Sequence, residues 1–408
     1  MNTTTEEILS FIQENDIKFV KLTYCDIFGK QKNVSVMSSQ LQKAFADGIS
    51  FDGSNIIGFT EIENSDLYLR PDNTTLNILP WRPQQGRVAR FYCNIFDGEG
   101  KPYKFDTRRI LEETARKVSE SNIKINVGVE CEFYLFKTDE LGNPTNIPFD
   151  NGQYMDMAPL DKCENIRREI CITLENMNIN PTTSHHESGT GQNEIDFMYG
   201  DLVESADNFM TFKTVVRTVS SRNGLYASFN PKPIADQSGS GFHINISISK
   251  DSKNIFSTEN GDLSLLGKQF IAGFLNRAKE IASILNPIAN SYERLGKNEA
   301  PNKIIWGNKD RSALVRIPGD KGDWTRLEIR SPDCSVNPYL TLCLIVNAGM
   351  EGIENAMRLE DFDNKNPEYL PKNLKEALEY TKNSTFVKNI FGKEFVNRYI
   401  ALKEKELK

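Results

Sequence analysis

The sequence of 408 residues has no long uninterrupted apolar run. Its apolar stretches, such as LCLIV at 342–346, are far shorter than the roughly 20 residues that a membrane-spanning helix needs. The first residues, MNTTTEEILSF, contain neither the basic region nor the apolar core of a secretory signal. These absences predict a protein without a membrane span, and by default a cytoplasmic one.

Positive charge is also in short supply, since 49 Lys and Arg stand against 56 Asp and Glu, a net charge of −7. Proteins that hold nucleic acid by its phosphates concentrate basic residues in a stripe or patch. No such stripe is present, which argues against a nucleic-acid partner. An anionic substrate would therefore need arginines placed locally.

Cysteine is sparse and scattered. The seven cysteines contain no CxxC pair, and they lie at positions 25, 93, 131, 163, 171, 334 and 343. This spacing favours reduced packing thiols over a disulfide or zinc framework. No period of 20 to 50 residues repeats, and an apolar share of 38% excludes the disordered and fibrous classes.

The order of periodic segments predicts two domains. A short helix at 6–15, a hairpin at 20–36 and further strand-like runs form a β-rich module, and the turn-rich DGEGKPYKFD at 97–106 ends it. Helical periodicity in five later segments alternates with strands that carry charge. We therefore expect a β-rich domain over 1–100 and an α+β catalytic domain over 101–408.

The strand at 125–136 alternates between apolar and polar residues, which places Glu130 and Glu132 on one face. Two carboxylates would then project together, about 6.6 to 6.8 Å apart along the strand. An antiparallel strand with a solvated outer face would show the same pattern. Both interpretations stay open for this strand taken alone.

Three more segments place polar residues on one strand face. SHHESGTGQNEIDF at 184–197 surrounds a turn with acidic residues, SGSGFHINISIS at 238–249 alternates, and TRLEIRS at 325–331 alternates as well. Their candidate residues are Glu187, Glu194, His243, Asn245, Ser247, Arg326, Glu328 and Arg330. Four strands with a polar face are more than solvent exposure of a single domain would explain.

Convergence of five glutamates and one histidine would cause strong repulsion unless cations lay among them. Oxygen-rich ligand sets with few nitrogens and no sulfur suit hard cations, which favours Mg²⁺ or Mn²⁺ over zinc. For each histidine, a core or surface role without a metal is the competing interpretation.

Arginines supply the opposite charge close to these segments, at Arg294, Arg311, Arg316, Arg326 and Arg330. Their planar forks suit bidentate capture of carboxylate and phosphate. Cations among carboxylates describe a phosphoryl-transfer site, although surface ion pairs are the alternative for any single arginine. The SGSG run lacks the pattern of a Walker loop and is weak evidence for phosphate binding.

A series of motifs in matching order gives the chain a resemblance to type I glutamine synthetases, from about residue 17 to about residue 405. The strings are FDGSN, GVECEF, SHHE, GQNEIDF, NPKP, SGSGFHINIS, NSYERL, EAPNKIIWGNKDRSALVRIP and RLEIRSPDCSVNPYL. The short insert after YLF and the brief loop before NGQYMDMAP resemble the compact, non-adenylylated branch. The resemblance implies a small N-terminal β-grasp-like domain and a larger catalytic domain with a curved antiparallel sheet and flanking helices.

The resemblance also implies roles for individual residues. One metal ion would be held by Glu132, Glu187 and Glu194, and a second by Glu130, His243 and Glu328. Substrate glutamate would contact Gly239, Arg294, Arg311 and Arg330, phosphates would contact Arg311, Arg316 and Arg326, and the nucleotide would contact Tyr199, Asn245 and Ser247. Ammonium would bind among Asp52, Ser54, Tyr154, Glu187 and Glu299, and the catalytic residues would be Asp52, Glu299, Arg311 and Arg330.

The implied reaction is ATP-dependent ligation of ammonia to L-glutamate through γ-glutamyl phosphate, which gives L-glutamine, ADP and phosphate. It would use two or more Mg²⁺ or Mn²⁺ ions per site. A γ-glutamyl-amine ligase is the nearest alternative, and it would need apolar room for an alkylamine. A catalytically silent binding or regulatory protein is a second alternative, which the presence of all six metal ligands disfavours.

In the family, the residue matching Asp52 completes the site of a neighbouring subunit, so a homo-oligomer with shared sites is implied. A hexameric ring is expected, and a dodecamer stays open because the chain ends at YIALKEKELK, before a segment that joins two rings in relatives. The chain departs from the family pattern at Ser238, where Asn is usual, at Glu61, where feedback-inhibited relatives carry Arg, and in a flap after Asn290 that is one residue shorter.

Overall fold

The computed structural model describes residues 4–362 and 365–407 of the chain. The chain folds as two units, of which the first comprises residues 1–112 with 176–178 and the second comprises 113–175 with 179–408. A six-stranded sheet forms the centre of the first unit, and a ten-stranded sheet forms the centre of the second.

The first unit is β-rich, as its sequence predicts. Its elements are α1 (Thr5–Glu14), β1 (Ile17–Cys25), β2 (Gln31–Met37), α2 (Leu41–Ala46), β3 (Ile49–Asp52), β4 (Asp66–Pro71), β5 (Asn77–Ile78) and β6 (Arg87–Phe96). The strand order is β2-β1-β6-β4-β3, with β5 beside β6. The expected hairpin is confirmed as the antiparallel pair β1–β2, and the turn contains Gly29 at a φ of 77°.

Polar contacts extend the first unit into the helix that follows it, α3 (Thr107–Ser119). Asp106 accepts a hydrogen bond of 2.8 Å from the backbone N–H of Ile95 on β6. Arg108 forms ion pairs with Asp72 at 2.8 Å and with Glu112 at 2.6 Å. The boundary between the two units therefore falls inside α3, after its second turn.

The second unit begins within α3 and mixes strands with long helices. The remaining elements are β7 (Ile123–Thr138), β8 (Pro144–Pro148), α4 (Glu164–Glu175), β9 (Pro181–His186), β10 (Gln192–Asp201), α5 (Leu202–Arg222), β11 (Leu225–Ser228), β12 (Phe242–Lys250), β13 (Lys253–Asn254), α6 (Leu265–Leu285), α7 (Ala289–Arg294), β14 (Trp306–Asn308), β15 (Val315–Ile317), β16 (Leu327–Ile329), α8 (Pro338–Glu354), α9 (Leu374–Asn383), α10 (Thr385–Phe391) and α11 (Lys393–Glu406).

The large sheet runs in the order β14-β15-β16-β12-β7-β10-β9, with β8 and β11 also paired to β7 and β13 paired to β12. Among the described strands of this sheet, the pair β14–β15 is parallel and the other pairs are antiparallel. Together with the helices, this architecture confirms the expected α+β class. The central strand β7 is paired with β10 and with β12, which carry the candidate residues Glu194 and His243.

Helices cover the apolar face of the large sheet. α5 packs against β7, β10 and β11, and α6 packs against α8 and α9. The ring of Phe209 on α5 stacks on Phe242 of β12 with centroids 4.0 Å apart, and Phe212 contacts Phe133 of β7 at 6.0 Å. Because strand residues alternate, burial of this face leaves the opposite face to the polar residues.

Within the described ranges, no helix combines the length and the apolar character that crossing a membrane requires. All seven cysteines are free thiols, six of them buried, which confirms the reduced state predicted from their spacing.

Candidate active site

The register of the central strands brings the carboxylates together. Glu132 on β7 lies opposite Glu194 on β10, and Glu130 lies opposite Asp196 on the same pair of strands. On the other side of β7, Glu130 lies opposite His243 of β12. Side chains at opposed positions share one face of a sheet, so these five residues form a single polar cluster.

The polar face continues to both sides of this cluster. Glu328 on β16 lies opposite Asn245 of β12 and opposite Arg316 of β15. At the other end of the row, His185 on β9 lies opposite Glu194. The four alternating sequence segments thus contribute to one continuous polar surface. It extends across β9, β10, β7, β12, β16 and β15.

One potential metal site consists of Glu130, His243 and Glu328, whose ligand atoms lie within 4.8 Å of one another. His243 Nδ1 lies 3.1 Å from Glu130 Oε2 and 3.9 Å from Glu328 Oε1. The resemblance to the family implies this trio as the ligands of the second metal, and the structure brings the three side chains together.

A second potential site consists of His185, Glu187 and Glu194, again with ligand atoms within 4.8 Å of one another. His185 Nε2 lies 3.0 Å from Glu187 Oε1. The resemblance implies Glu187 and Glu194 as ligands of the first metal, and it does not include His185. Glu132, the third assigned ligand, lines the same cavity but lies outside this group.

Glu132 is held on one side by protein donors. Its Oε2 accepts hydrogen bonds of 2.9 Å from Gln192 Nε2 and from the backbone N–H of Gly241. Its Oε1 lies 4.0 Å from His243 Nε2. One carboxylate oxygen is therefore fixed by the fold, and the other faces the polar cluster.

The carboxyl groups of the cluster differ in their pKa values. Burial and neighbouring carboxylates, Glu132 first among them, hold the pKa of Glu194 well above its ordinary value. Burial raises the pKa of Glu132, and burial together with Glu130 raises the pKa of Asp196 to about 6. Burial opposes ionisation of Glu130 as well, but hydrogen bonds from His243 and Asn245 bring its pKa down to about 2.

This electrostatic pattern tests whether the residues fit a divalent cation. Burial is the largest cause of the raised pKa of Glu194, and the neighbouring carboxylates add to it, so a bound cation would relieve a repulsion that is already present. The donors are carboxylate oxygens with two imidazoles and no sulfur, a set that suits Mg²⁺ or Mn²⁺. The side chains of this cluster therefore fit hard divalent cations.

Two arginines hold Glu328 from the other side. Arg316 Nη1 and Arg330 Nη1 each donate a short hydrogen bond to a different oxygen of its carboxylate. Arg330 Nε also donates to the backbone carbonyl of Arg311 at 2.9 Å, and Arg330 Nη2 lies 3.9 Å from Glu299 Oε2. Arg330 is buried. Its contacts link the cluster to the loop after β14, which contains Arg311, and to the loop after α7, which contains Glu299.

Two further arginines reach the cluster from different elements, and Arg311 lines the same cavity. Arg294, at the end of α7, is buried and donates to the backbone carbonyls of Ser331 at 2.9 Å and Arg330 at 3.3 Å. Arg326 donates to Asn245 Oδ1 at 3.0 Å and to Asp320 at 2.7 Å. All five arginines named from the sequence thus lie near the polar face.

Two cavities open on this face. The first, of about 790 Å³, is lined by Glu130, Glu132, Tyr154, His185, Glu187, Gln192, Glu194, Asp196, Ser238, Gly239, His243, Arg294, Glu299, Arg311, Arg316, Arg326 and Arg330, among others. The second, of about 760 Å³, is lined by Gly128, Glu130, Asp196, Tyr199, Asn245, Ser247, Trp324 and Arg326, among others. The cavities meet, since Glu130, Asp196 and Arg326 line both.

Asp52 and Ser54 lie in the first unit. Asp52 Oδ1 accepts hydrogen bonds from Ser54 N at 2.9 Å and Ser54 Oγ at 2.6 Å. Asn55 donates to the second carboxylate oxygen. These contacts lower the pKa of the exposed Asp52, the hydroxyl of Ser54 being the main cause.

Sequence reasoning missed three residues of the cluster: His185, Gln192 and Asp196. A signal for two of them was present, because alternation along β10 places Gln192, Glu194 and Asp196 on one face. His185 lies in the same SHHE motif as Glu187, but its residue type and spacing alone give it no role. Its position became clear only from the pairing of β9 with β10.

Comparison with known families decides the affiliation. The family described as "Glutamine synthetase, catalytic domain" matches residues 104–408, and "Glutamine synthetase, beta-Grasp domain" matches residues 16–98. The chain belongs to the glutamine synthetase family. Membership makes it an enzyme, an ATP-dependent synthetase of glutamine, and implies the use of a divalent metal.

Individual relatives agree with this affiliation. A glutamine synthetase from Clostridium saccharobutylicum is 44% identical to the chain, over 99% of the chain and 95% of the relative. The solved structure of a GmaS–ADP complex is 28% identical with a TM-score of 0.88, covering 98% of this chain and 95% of that one. The glutamine synthetase of Plasmodium falciparum shares the fold, with a TM-score of 0.90 at 24% identity over 99% and 96% of the two chains.

Proposed function

We propose that the chain ligates ammonium to L-glutamate through γ-glutamyl phosphate, giving L-glutamine, ADP and phosphate. The main support is the single polar face on which two carboxylate–histidine groups lie beside five arginines. Such a face can bring together an anionic substrate and a nucleoside triphosphate, which would repel each other without neutralising cations.

The chemistry accounts for the residue types. A carboxylate is a poor electrophile, so glutamate must gain a leaving group before ammonia can displace it. Arg311, Arg316 and Arg326 would neutralise the phosphates as they approach the substrate. Arg294, Arg330 and Gly239 would hold the glutamate, and burial of both arginines supports a fixed orientation.

Two or more Mg²⁺ or Mn²⁺ ions are proposed for each site. Glu132, Glu187 and Glu194 would hold one, with His185 beside it, and Glu130, His243 and Glu328 would hold another. When bound, such ions neutralise charge on the transferring phosphoryl group. The raised pKa of Glu194, to which burial contributes most and the neighbouring carboxylates contribute next, supports the assignment, since a bound cation would relieve that repulsion.

We propose that the nucleotide binds in the second cavity, where it would contact Tyr199, Asn245 and Ser247. This cavity meets the first at Glu130 and Arg326. A nucleotide lying there could direct its terminal phosphate toward the carboxylate cluster.

Ammonium is proposed to bind near Tyr154, Glu187 and Glu299, together with Asp52 and Ser54 of a neighbouring copy. The ring of Tyr154 lies edge-on to His185 with centroids 5.5 Å apart, beside one carboxylate group. Asp52 is exposed, and its carboxylate is pre-ordered by its own turn. A shared site requires a homo-oligomer, for which we propose a hexameric ring or a pair of rings, in the cytoplasm.

We also propose residues 100 and 101 as the boundary between the β-grasp domain and the catalytic domain. The two family matches, 16–98 and 104–408, leave a gap that contains this point. Ion pairs of Arg108 at the start of α3 account for the later division at residue 112 in the folded chain.

The test of function is phosphate release from ATP and Mg²⁺ with glutamate plus ammonium, compared with glutamate plus a panel of alkylamines. A parallel reaction without metal is the control. We expect release to need glutamate, ammonium and metal together, with one glutamine formed per phosphate. Release with an alkylamine but not with ammonium would replace this proposal by a γ-glutamyl-amine ligase.

A further inference from the structure

An exposed tryptophan lies on the wall of the second cavity. Trp324 is 68% exposed, yet it lines the same cavity as Tyr199 and Ser247. Tyr199 is exposed to a similar extent, at 53%. Large aromatic faces left open beside a polar cavity indicate a surface for a flat ligand, because any base presents a π-face to such rings.

The turn that carries Trp324 is held on both sides of this residue. The turn is a single 3₁₀ segment, Gly322–Trp324. Asn254, at the end of β13, donates from Nδ2 to the backbone carbonyl of Asp323 at 3.0 Å and to that of Thr325 at 2.7 Å. One amide therefore fixes the backbone before and after Trp324, so the turn that presents the indole is held without a ligand.

The positive charge of Arg326, next to this turn, suits the phosphates of a nucleotide. Arg326 follows Trp324 by two residues and lines both cavities. Its guanidinium is oriented by Asn245 and Asp320, at 3.0 and 2.7 Å. A base against the indole would therefore leave the phosphates near a fixed cation, on the side where the carboxylate cluster lies.

We propose that Trp324 contacts the nucleotide base, its indole stacking on the adenine of ATP, and that Asn254 positions the turn that presents it. This inference rests on the proposed function, because it takes the second cavity as the nucleotide site. Stacking of one base on an aromatic side chain corresponds to about a fivefold to a hundredfold change in affinity.

The experiment compares wild type with Trp324→Ala and Trp324→Phe. In Trp324→Ala we expect the KM for ATP and the inhibition constant of ADP to rise about fivefold to a hundredfold. Inhibition by pyrophosphate, which has no base, and the KM values for glutamate and ammonium should stay within twofold. Trp324→Phe keeps a ring and should recover part of the loss.

Tyr226→Ala is the matched control, since Tyr226 is an exposed aromatic residue on β11 of the same unit and outside both sets of cavity residues. We expect wild-type constants from it. Unchanged ADP inhibition in Trp324→Ala, or an equal loss for ADP and pyrophosphate, would overturn the inference.

Intrinsic fluorescence separates this inference from the proposed function. The chain has three tryptophans, and ADP with Mg²⁺ should quench wild type and Tyr226→Ala but not Trp324→Phe. Equal quenching in Trp324→Phe would refute base stacking on the indole. Quenching that depends on Trp324 in an enzyme that forms no glutamine would contradict the proposed reaction and still support the base contact.

The variant Asn254→Asp tests the support of the turn. It keeps a side-chain oxygen acceptor but loses both N–H donors, and it should weaken ADP binding, as Trp324→Ala does.

Discussion

Gln192 shows how much of the site depends on side chains that hold the carboxylates. Its Nε2 donates to Glu132 Oε2 at 2.9 Å and to the carbonyl of Gly239 at 3.1 Å, while its Oε1 accepts from the N–H of Gly189 at 2.9 Å. Gln192 is fully buried. One amide thus ties a proposed metal ligand to the loop proposed for glutamate.

We predict that Gln192→Glu lowers kcat/KM by about 10- to 100-fold, the range typical of residues that orient a metal ligand. The substitution keeps the shape but removes both N–H donors and adds a carboxylate beside Glu132. Steady-state kinetics at varied Mg²⁺ would measure the loss, with a higher Mg²⁺ requirement expected. Gln84→Glu, at an exposed position, is the control, and equal kinetics in the two variants would contradict the assigned role.

Lys213 is a buried charge beneath the sheet, on α5. Its Nζ donates to the carbonyl of Cys334 at 2.6 Å and lies 5.2 and 5.5 Å from the rings of Phe209 and Phe229. Burial lowers the pKa of Lys213 to about 8. The unfolded chain, with an ordinary lysine, therefore binds more protons than the folded chain between about pH 8 and about pH 10.4.

This difference in bound protons makes the folding stability depend on pH. Because the unfolded state binds the extra proton, the contribution of Lys213 to folding stability rises with pH across that interval. Lys213→Met does not titrate, so its stability relative to wild type should decline from pH 8 to pH 10, by a few kcal/mol at most. Denaturant unfolding of both proteins at each pH measures this, and a constant difference would contradict the lowered pKa.

At the scale of elements, α6 and α8 meet backbone to backbone. A Cβ added to Gly273 of α6 would lie 2.2 Å from the carbonyl of Ala348 and 2.6 Å from the N of Gly352. A Cβ on Gly352 would lie 2.1 Å from the carbonyl of Gln269. Two glycines facing each other therefore allow the close crossing of α6 and α8.

We predict that Gly273→Ala and Gly352→Ala each destabilise the protein by about 1–3 kcal/mol, the usual cost of overpacking. This outcome is opposite to the gain of about 1 kcal/mol that alanine gives over glycine in an open helix. Thermal or denaturant unfolding checks it. Gly98→Ala, where an added Cβ meets nothing within 4 Å, should be near neutral, and stabilisation by either helix variant would contradict the close crossing.

Elements were predicted well where the sequence had a clear period. The five long helical segments of the catalytic domain correspond to α3, α4, α5, α6 and α8, and alternation at 125–136 is confirmed by burial of Val127, Val129 and Cys131. The helices α9–α11 were not predicted: α9 and α10 are short, with 10 and 7 residues, and α11 begins at Gly392 without a side-chain cap. Strand order could not be predicted either, since residues such as His185 and Glu194 are paired by the long-range path of the chain.

At the scale of the whole molecule, the proposed site draws on two copies of the chain. The residues proposed for metal, glutamate and nucleotide belong to the second unit, whereas Asp52 and Ser54 belong to the first. A variant in each unit should therefore disable different halves of a shared site. Assembly into a ring would place one half from each of two neighbours together.

We predict that Asp52→Ala and His243→Ala are each nearly inactive but recover activity when they are co-assembled. In a random equal mixture, about one interface in four joins two unaltered halves, so roughly a quarter of wild-type activity is expected. Dissociation, mixing, reassembly and assay for glutamine would measure this. Mixing without dissociation is the control, and no recovery after co-assembly would contradict a site shared between copies.

Transfer of oxygen from glutamate to phosphate tests the central claim most directly. The protein would be supplied with ATP, Mg²⁺, ammonium and glutamate labelled with ¹⁸O in the γ-carboxylate, and the released phosphate would be analysed by mass. If the γ-carboxylate attacks the terminal phosphorus and ammonia then displaces phosphate, each phosphate carries one labelled oxygen. Glutamine formation with unlabelled phosphate would contradict γ-glutamyl phosphate as the route.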